Sequence, residues 1–279
     1  MGDCGSDVHL SDTQQFRDLP PSSADLEEIS VLVTGFGPFK SNLVNASYLI
    51  ASSLPSSLSL PTDADGKSAA RRIAIHVHPS PITVAYSAVR TTIPAIMDQY
   101  VKTHGRQPDI VLHMGIAATR SYYSVETRAH RDAYHMPDVL GRAGYDDGEK
   151  LWRELDLPYV LQAGPSDPPT EPIVKPIASP RTNLFPRSPD SEMFKAWQAL
   201  APPSTDIQIS EDAGRYLCEF IFYTSLSLAY KEGRDRNVVF FHVPSSCRDQ
   251  DIATGTEVAT ALIKALVLSW ADERVQRTV

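Results

Sequence analysis

The chain has 279 residues, of which 42% are hydrophobic and 22% charged, and its formal net charge is -8. This composition is typical of a soluble globular protein with one large domain or two small ones. Seven acidic residues against one arginine lie within the first 29 positions, so the remainder of the chain is close to neutral. It therefore has no strongly basic region of the kind that binds nucleic acid, and we expect no nucleic-acid partner.

The N-terminal arm, residues 1–28, is polar and acidic, and we expect it to be disordered. It has neither the basic region nor the apolar core of a secretion signal, and we expect no transmembrane segment anywhere in the chain. Three cysteines are too few for a disulfide framework, which favours a reducing, cytoplasmic location. Gly2 and Ser6 match a myristoylation pattern beside Cys4, but the sequence does not decide whether Gly2 and Cys4 are acylated.

Short apolar runs alternate with segments of helical periodicity along the rest of the chain. The pattern predicts strands at 29–34, 72–78, 109–114, 206–209 and 237–243, and helices at 45–54, 82–103, 212–231 and 252–270. This alternation indicates an α/β fold, a three-layer α/β/α sandwich with a mostly parallel central sheet. We assign residues 29–279 to a single domain. Within it, 157–206 hold 11 of the 22 prolines and are expected to form a loop-rich insertion with one helix at about 189–200.

Cys218 and His242 are the residues most suggestive of chemistry. A thiol near a helix start and an imidazole at a strand end can meet above a parallel sheet as nucleophile and base. Ser210 is the predicted N-cap of the helix that carries Cys218, and the dipole of that helix would favour a thiolate, whereas the charge of Glu219 would oppose it. A lone cysteine is also commonly a small core hydrophobe. Both interpretations stay open at this point.

Four segments are predicted to meet at the carboxyl rim of the sheet: TGFGPF, GIAATR, SEDAG and HVP. Phe36 and Phe39 in the first could line an apolar pocket, or simply pack against the next helix. The run GFGPFKS lacks the spacing of a phosphate loop, which argues against a nucleotide site. Glu126 is a candidate for a third residue of the site, one whose carboxylate would orient the imidazole of a cysteine and histidine pair.

Several histidines raise the option of a metal site: His76, His78, His113, His130 and His135. His76 and His78 alternate on one strand face, but none of these residues forms a set with firm ligand spacing. We therefore expect no metal and no cofactor.

Four blocks, in chain order, resemble the pyroglutamyl peptidase I family of cysteine peptidases: VLVTGFGPFKSNLVNAS, DIVLHMGIAATRSYYSVE, SEDAGRYLC and VVFFHVP. The resemblance covers about 29–138 and 206–270. It implies a metal-free α/β/α hydrolase that removes N-terminal pyroglutamate from peptides with a Cys-His-Glu triad. By block position, the implied nucleophile is Cys218, the base His242 and the orienting acid Glu126. The implied substrate-binding residues are Phe36 and Phe39 around the lactam, Asn45 at the pyroglutamyl ring, and Arg120 near the site. The expected partners are N-terminally blocked peptides, with assembly into a homo-oligomer left open.

The chain departs from the family pattern near the site. Ile116, Ala118 and Thr119 stand where the family usually has Gln and Gly-Gly, and Glu219 stands in place of Asn. These changes put the lactam pocket, and so the substrate, in question. Two alternatives therefore remain: a related cysteine amidohydrolase for another N-blocked substrate, or a catalytically silent binding relative.

Overall fold

The computed structural model describes residues 28–39, 42–60, 71–166 and 184–271. Its strands are β1 (Glu28–Gly35), β2 (Ser57–Leu60), β3 (Arg71–Val77), β4 (Ile110–Ile116), β5 (Tyr123–Glu126), β6 (Ala129–His130), β7 (Val160–Leu161), β8 (Ile207–Ser210) and β9 (Val238–Val243). Its helices are α1 (Ala46–Ser53), α2 (Tyr86–His104), α3 (Lys150–Glu154), α4 (Ser191–Leu200), α5 (Leu217–Lys231) and α6 (Asp249–Trp270), with a π-helical turn, Tyr145–Glu149, leading into α3.

Seven of these strands form one mixed sheet in the order β2-β3-β1-β4-β9-β5-β8. The four central strands β3, β1, β4 and β9 are parallel. β2 is antiparallel at one edge, while β5 and β8 are parallel to each other but antiparallel to β9 at the other. β6 and β7 pair separately. The predicted mostly parallel sheet is confirmed.

Helices cover both faces of the sheet, because successive residues of a strand point to opposite sides. On β4, Leu112 and Met114 join a buried cluster with α1, α4 and α6, whereas Val111 joins a second cluster with α2, α3 and α5. The predicted three-layer α/β/α sandwich is therefore confirmed. The face covered by α2, α3 and α5 is called the α5 face below.

α6 is the one helix of the described residues that is long and apolar enough to cross a membrane. More than half of its most apolar window, 56%, is buried inside the protein. Leu262 and Leu266 are fully buried, and α6 packs against α1 and α4. These contacts account for its apolar character as that of a core helix.

The proline-rich insertion contributes to the core through α4. Trp197 is fully buried among residues of α6 and β9, and its indole Nε1 donates to the backbone oxygen of Val258 at 3.1 Å. Asp190 caps the helix by accepting from the amides of Glu192 and Met193. The stretch 167–183 and the arm 1–27, with Gly2 and Cys4, lie outside the described residues. The proposed domain boundaries thus stay a prediction.

Two local predictions beside the site are wrong. The helix predicted from 212 begins at Leu217, and its N-cap is Tyr216, not Ser210, which ends β8. Gly214, with φ of 79°, lies in the loop before the helix. In addition, β8 is antiparallel to the central strands through β5, so the SEDAG segment does not leave the sheet at their carboxyl rim. The loop 211–216 instead returns the chain to that rim, where α5 begins.

Candidate active site

Three neighbouring strands place polar side chains side by side on the α5 face. His242 of β9 is paired with Gly115 of β4 on one side and with Ser124 of β5 on the other. Because paired residues of adjacent strands are only about 5 Å apart, these positions form one continuous surface. Glu126 follows two residues after Ser124 and therefore shares its face.

Cys218 lies directly over this surface, as the second residue of α5. A Cβ atom placed on Gly115 would lie 2.9 Å from the sulfur, closer than a real side chain tolerates. Glycine at this position thus makes room for the thiol, a close approach of the kind that a glycine inside a strand often marks. Since Gly115 is paired with His242, the sulfur lies beside the strand position that carries the imidazole.

Glu126 holds one side of the His242 ring. Its Oε1 is 2.7 Å from Nδ1 of His242, and both residues are buried. Burial by itself would raise the pKa of Glu126, but hydrogen bonding to His242 and its charge, with further bonding to Ser210 and Arg120, lower that pKa below its usual value. The carboxylate therefore stays ionised and accepts a hydrogen bond from the Nδ1–H group, which leaves Nε2 of the ring as the nitrogen able to take a proton.

Arg120 connects Glu126 to the loop that precedes Cys218. Its Nη1 donates to Ser124 Oγ at 2.7 Å and to Glu126 Oε1 at 2.8 Å. Its Nη2 donates to the backbone oxygen of Asp212 at 3.0 Å. One guanidinium thus joins β5 to the segment that leads into α5. The resemblance places Arg120 near the site, and the geometry gives it a positioning role.

The pKa of the Cys218 thiol is raised to about 12. Burial is the largest cause, the negative charge of Glu126 contributes to the rise, and the positive charge of Arg120 opposes it. A preformed thiolate is therefore not what this geometry favours. Deprotonation has to accompany attack, which requires a base beside the sulfur.

The start of α5 places the backbone amides of its first turn beside the thiol. The N-cap, Tyr216, provides no side-chain acceptor for the first-turn amides. The first N–H groups of a helix lack intrahelical partners and lie at the positive end of its dipole. They are suited to hold an oxyanion formed on a carbonyl that Cys218 attacks.

Glu219, whose charge was expected to disfavour the thiolate, is fully buried and ion-paired. Both of its oxygens accept from Nη1 of Arg215, at 2.8 and 2.7 Å. Its Oε1 also lies 2.7 Å from Nδ1 of His130 and accepts from the His130 amide. Burial raises the pKa of Glu219 to about 8, against the opposing effect of Arg215. On the Cys218 thiol its charge acts in the expected direction, but less than burial and Glu126 do.

The substrate-binding candidates lie along the loop after β1. Phe36 is buried in the core on the α5 face, whereas Phe39 is half-buried with its ring centre 5.4 Å from that of Tyr216. Asn45 caps α1, and its Nδ2 donates to the backbone oxygen of Gly37 at 2.9 Å. These bonds fix the loop that carries both rings. Lactam contacts from Phe36, Phe39 and Asn45 stay predictions.

Ile116, Ala118 and Thr119, which depart from the family pattern, lie at the end of β4 and in the turn that follows it. Ile116 packs against the cluster under α1 and α6, on the opposite face from Cys218. Ala118 and Thr119 are exposed in a turn that the bond from the Arg120 amide to the Ala117 oxygen closes at 2.9 Å. The effect of these three residues on the lactam pocket stays a prediction.

The histidines considered for a metal are dispersed. His76 packs against Tyr100 and His104 in a groove of about 840 Å³ between β3 and α2, and His78 also lines that groove. His113 is buried between Thr34 Oγ1 and Ser225 Oγ, each 2.7 Å away. In the part of the chain that the structure describes, no three His, Cys, Asp or Glu side chains converge to hold a metal ion.

Sequence reasoning missed three residues of the site. Gly115 had a readable signal, since a glycine inside an apolar strand indicates a close approach. Ser124 and Tyr216 had no such signal. β5, which carries Ser124, is too short to show a pattern, and the helix after Tyr216 was predicted to begin at 212 rather than at Leu217. Ser124 binds Arg120, and Tyr216 packs on Phe39.

Comparison with known proteins gives the site its context. No model of a protein family matches the chain. Mouse pyroglutamyl-peptidase 1 is 28% identical over 217 residues, covering 77% of this chain and 78% of the mouse protein. The pyrrolidone-carboxylate peptidase of Pyrococcus furiosus is also 28% identical, covering 77% of this chain and 81% of its own. The chain is a homologue of these peptidases.

Solved structures agree with this homology at the level of the fold. Pyrrolidone carboxyl peptidase from Thermococcus litoralis superposes with a TM-score of 0.57 at 20% identity, over 87% of this chain and 94% of its own. Pyroglutamyl peptidase I from Bacillus amyloliquefaciens gives 0.52 at 20% identity, over 88% and 95%. The resemblance of the four sequence blocks to pyroglutamyl peptidases is thus confirmed, and this homologue keeps the α/β fold of those enzymes.

Proposed function

We propose that this chain is a cysteine peptidase that removes N-terminal pyroglutamate from peptides, with Cys218, His242 and Glu126 as its triad. The observation that carries the proposal is the alignment of these residues on one surface. Glu126 binds Nδ1 of His242, and the Cys218 sulfur lies over Gly115, the strand partner of His242. The homologous peptidases support the substrate class.

The proposed reaction begins with proton transfer from the Cys218 thiol to Nε2 of His242 as the sulfur attacks the pyroglutamyl carbonyl carbon. The first-turn amides of α5 hold the resulting oxyanion, and Glu126 stabilises the imidazolium. The imidazolium then protonates the leaving amine as the C–N bond breaks. Water, deprotonated by His242, hydrolyses the thioester and releases pyroglutamate with the thiol restored.

The direct test is release of aminocoumarin from pyroglutamyl-aminocoumarin by the purified chain. Cys218→Ala should abolish release, because no other described group on this surface is a comparable nucleophile. Cys247→Ser is the matched control, since Cys247 is exposed and its thiol donates to the backbone oxygens of Val44 and Ser245. Equal release by wild type and Cys218→Ala would overturn the proposal, as would no release by wild type.

One observation favours the second candidate, a silent binding relative. The pKa of the Cys218 thiol is raised to about 12, chiefly by burial, so the sulfur is a poor nucleophile unless His242 takes its proton. If the protein only binds, pyroglutamyl peptides should protect Cys218 from alkylation without being cleaved. A related amidohydrolase would instead cleave another N-blocked dipeptide faster than the pyroglutamyl compound.

The proposed enzyme acts in the cytoplasm and uses no metal or cofactor. Cys218 and Cys247 are both free thiols, which is compatible with a reducing compartment. All steps of the proposed reaction are supplied by side chains and amides of the chain itself. Whether it acts as a monomer or a homo-oligomer is tested by sedimentation of the purified protein.

A further inference from the structure

An exposed apolar patch lies on the loop 133–142. Met136 is 51% exposed, Val139 46% and Leu140 62%. Single exposed apolar side chains are ordinary, but several on one short loop commonly mark a binding surface.

This loop borders the candidate active site through Tyr216. The Tyr216 hydroxyl donates to the backbone oxygen of Pro137 at 3.2 Å, and its ring packs on Phe39 with ring centres 5.4 Å apart. Tyr216 is the N-cap of α5 and precedes Cys218 by two residues. Tyr216 therefore connects the loop to Phe39 and to the start of α5, and the Phe39 and Tyr216 rings are called the shared wall below.

Hydrogen bonds hold the loop in one conformation. Asp138 is buried, and its Oδ2 accepts from the Tyr86 amide at 2.9 Å, while its Oδ1 accepts from the Leu140 amide at 2.8 Å. The Val139 amide donates to the Val84 oxygen at 3.3 Å, and Gly141 closes the turn at a φ of 75°. The side chains of Val139 and Leu140 are thus presented from a preorganised backbone, which lowers the entropic cost of binding to them.

We infer that Val139 and Leu140 form the subsite for the residue that follows pyroglutamate in the substrate, and that this subsite prefers an apolar side chain. The inference rests on the proposed function. With the lactam beside Phe39 and its carbonyl at Cys218, the remainder of the peptide has to leave the cleft across its rim. The loop supplies that rim next to the shared wall, and its exposed side chains are apolar.

The test compares three peptides that differ only after pyroglutamate: pyroglutamyl-leucyl-glycine, pyroglutamyl-aspartyl-glycine and pyroglutamyl-glycyl-glycine. Release of free pyroglutamate gives kcat/KM for each. Wild type should prefer leucine to aspartate by about tenfold, the range expected for partial burial of one apolar side chain. Val139→Ser with Leu140→Ser should reduce that preference to about twofold or less, through a lower kcat/KM for the leucine peptide.

Leu200→Ser is the matched control, because Leu200 is 42% exposed and lies on α4, on the opposite face of the sheet. It should keep the leucine preference. The subsite is refuted if wild type cleaves all three peptides at equal kcat/KM, or if the double variant loses activity equally on all three. It is also refuted if the double variant changes the sedimenting mass, since the patch would then join copies of the chain. Failure to cleave any of the peptides would instead overturn the proposed function itself.

Discussion

Replacing Arg120 with methionine tests how much its guanidinium stabilises the buried Glu126 carboxylate and, through it, the fold. The change keeps a long side chain but removes the bonds to Ser124, Glu126 and the Asp212 backbone. Glu126 is fully buried, so losing the guanidinium leaves its carboxylate with less compensating charge. Breaking a buried pair usually costs about 3–5 kcal/mol. Because the Arg120 side chain is 21% exposed and His242 still binds the acid, we expect about 2 kcal/mol at neutral pH.

This loss should shrink as the pH falls. The folded-state pKa of Glu126 is lowered, so its contribution to stability is present above the ordinary value of 4.5 and is lost as the pH falls through the folded pKa. In the variant that pKa is higher, and the loss of charge begins at higher pH. Once the carboxyl is neutral in both proteins, the missing guanidinium no longer matters to it. The stability difference should then fall below about 1 kcal/mol.

Urea denaturation of wild type and Arg120→Met, from about pH 7 down to about pH 2, measures this difference. Arg128→Met is the matched control, because its pair with Glu211 is largely exposed and should contribute less than about 1 kcal/mol at any pH. A stability difference that stays constant with pH would refute the reasoning. So would full additivity of Arg120→Met and Glu126→Gln, since residues that interact directly should show coupling.

Three further outcomes follow from buried groups. Alkylation of Cys218 by iodoacetamide, measured in protein with both Cys4→Ser and Cys247→Ser, should keep accelerating up to about pH 9, because the thiol pKa is raised to about 12, chiefly by burial. A plateau at or below about pH 9 would contradict this. His113 has its pKa lowered to about 3 by burial, so stability should decline as the pH falls below the ordinary 6.5, and His113→Gln should flatten that decline in urea titrations. Trp197→Ala should cost about 3–5 kcal/mol in the same assay, and a cost below about 1 kcal/mol would show that α4 is not part of the core.

The sequence was informative wherever a segment was long enough to show a period. Strands β1, β4 and β9 and helices α2 and α6 were predicted because each has several turns or pairs of alternating residues. β5 has only four residues, two of them polar yet buried, so its pattern resembles a loop. Its direction also could not be predicted, because pairing against β9 is set by contacts between segments that are far apart in sequence.

The sequence identified the candidate residues of the site, but not the contacts between them. Cys218 and His242 could be paired because both lie near ends of periodic elements. The bond between Glu126 and His242 joins residues 116 positions apart and depends on the antiparallel placement of β5. The contact of Glu219 with His130 was likewise hidden, since only the folded chain brings β6 against α5. Arg215 lies four residues before Glu219, so the spacing alone could have indicated that ion pair.

The charge of Glu126 has opposite effects on the two groups that exchange a proton in the proposed reaction. It stabilises an imidazolium on His242, yet it raises the pKa of the Cys218 thiol. Arg120, bound to the same carboxylate, lowers the thiol pKa and so limits the second effect. In the proposed reaction the thiol therefore keeps its proton at rest and transfers it to His242 only when a carbonyl is attacked. Arg120→Met should therefore slow attack by Cys218 as well as destabilise the fold, with kcat falling more than KM changes.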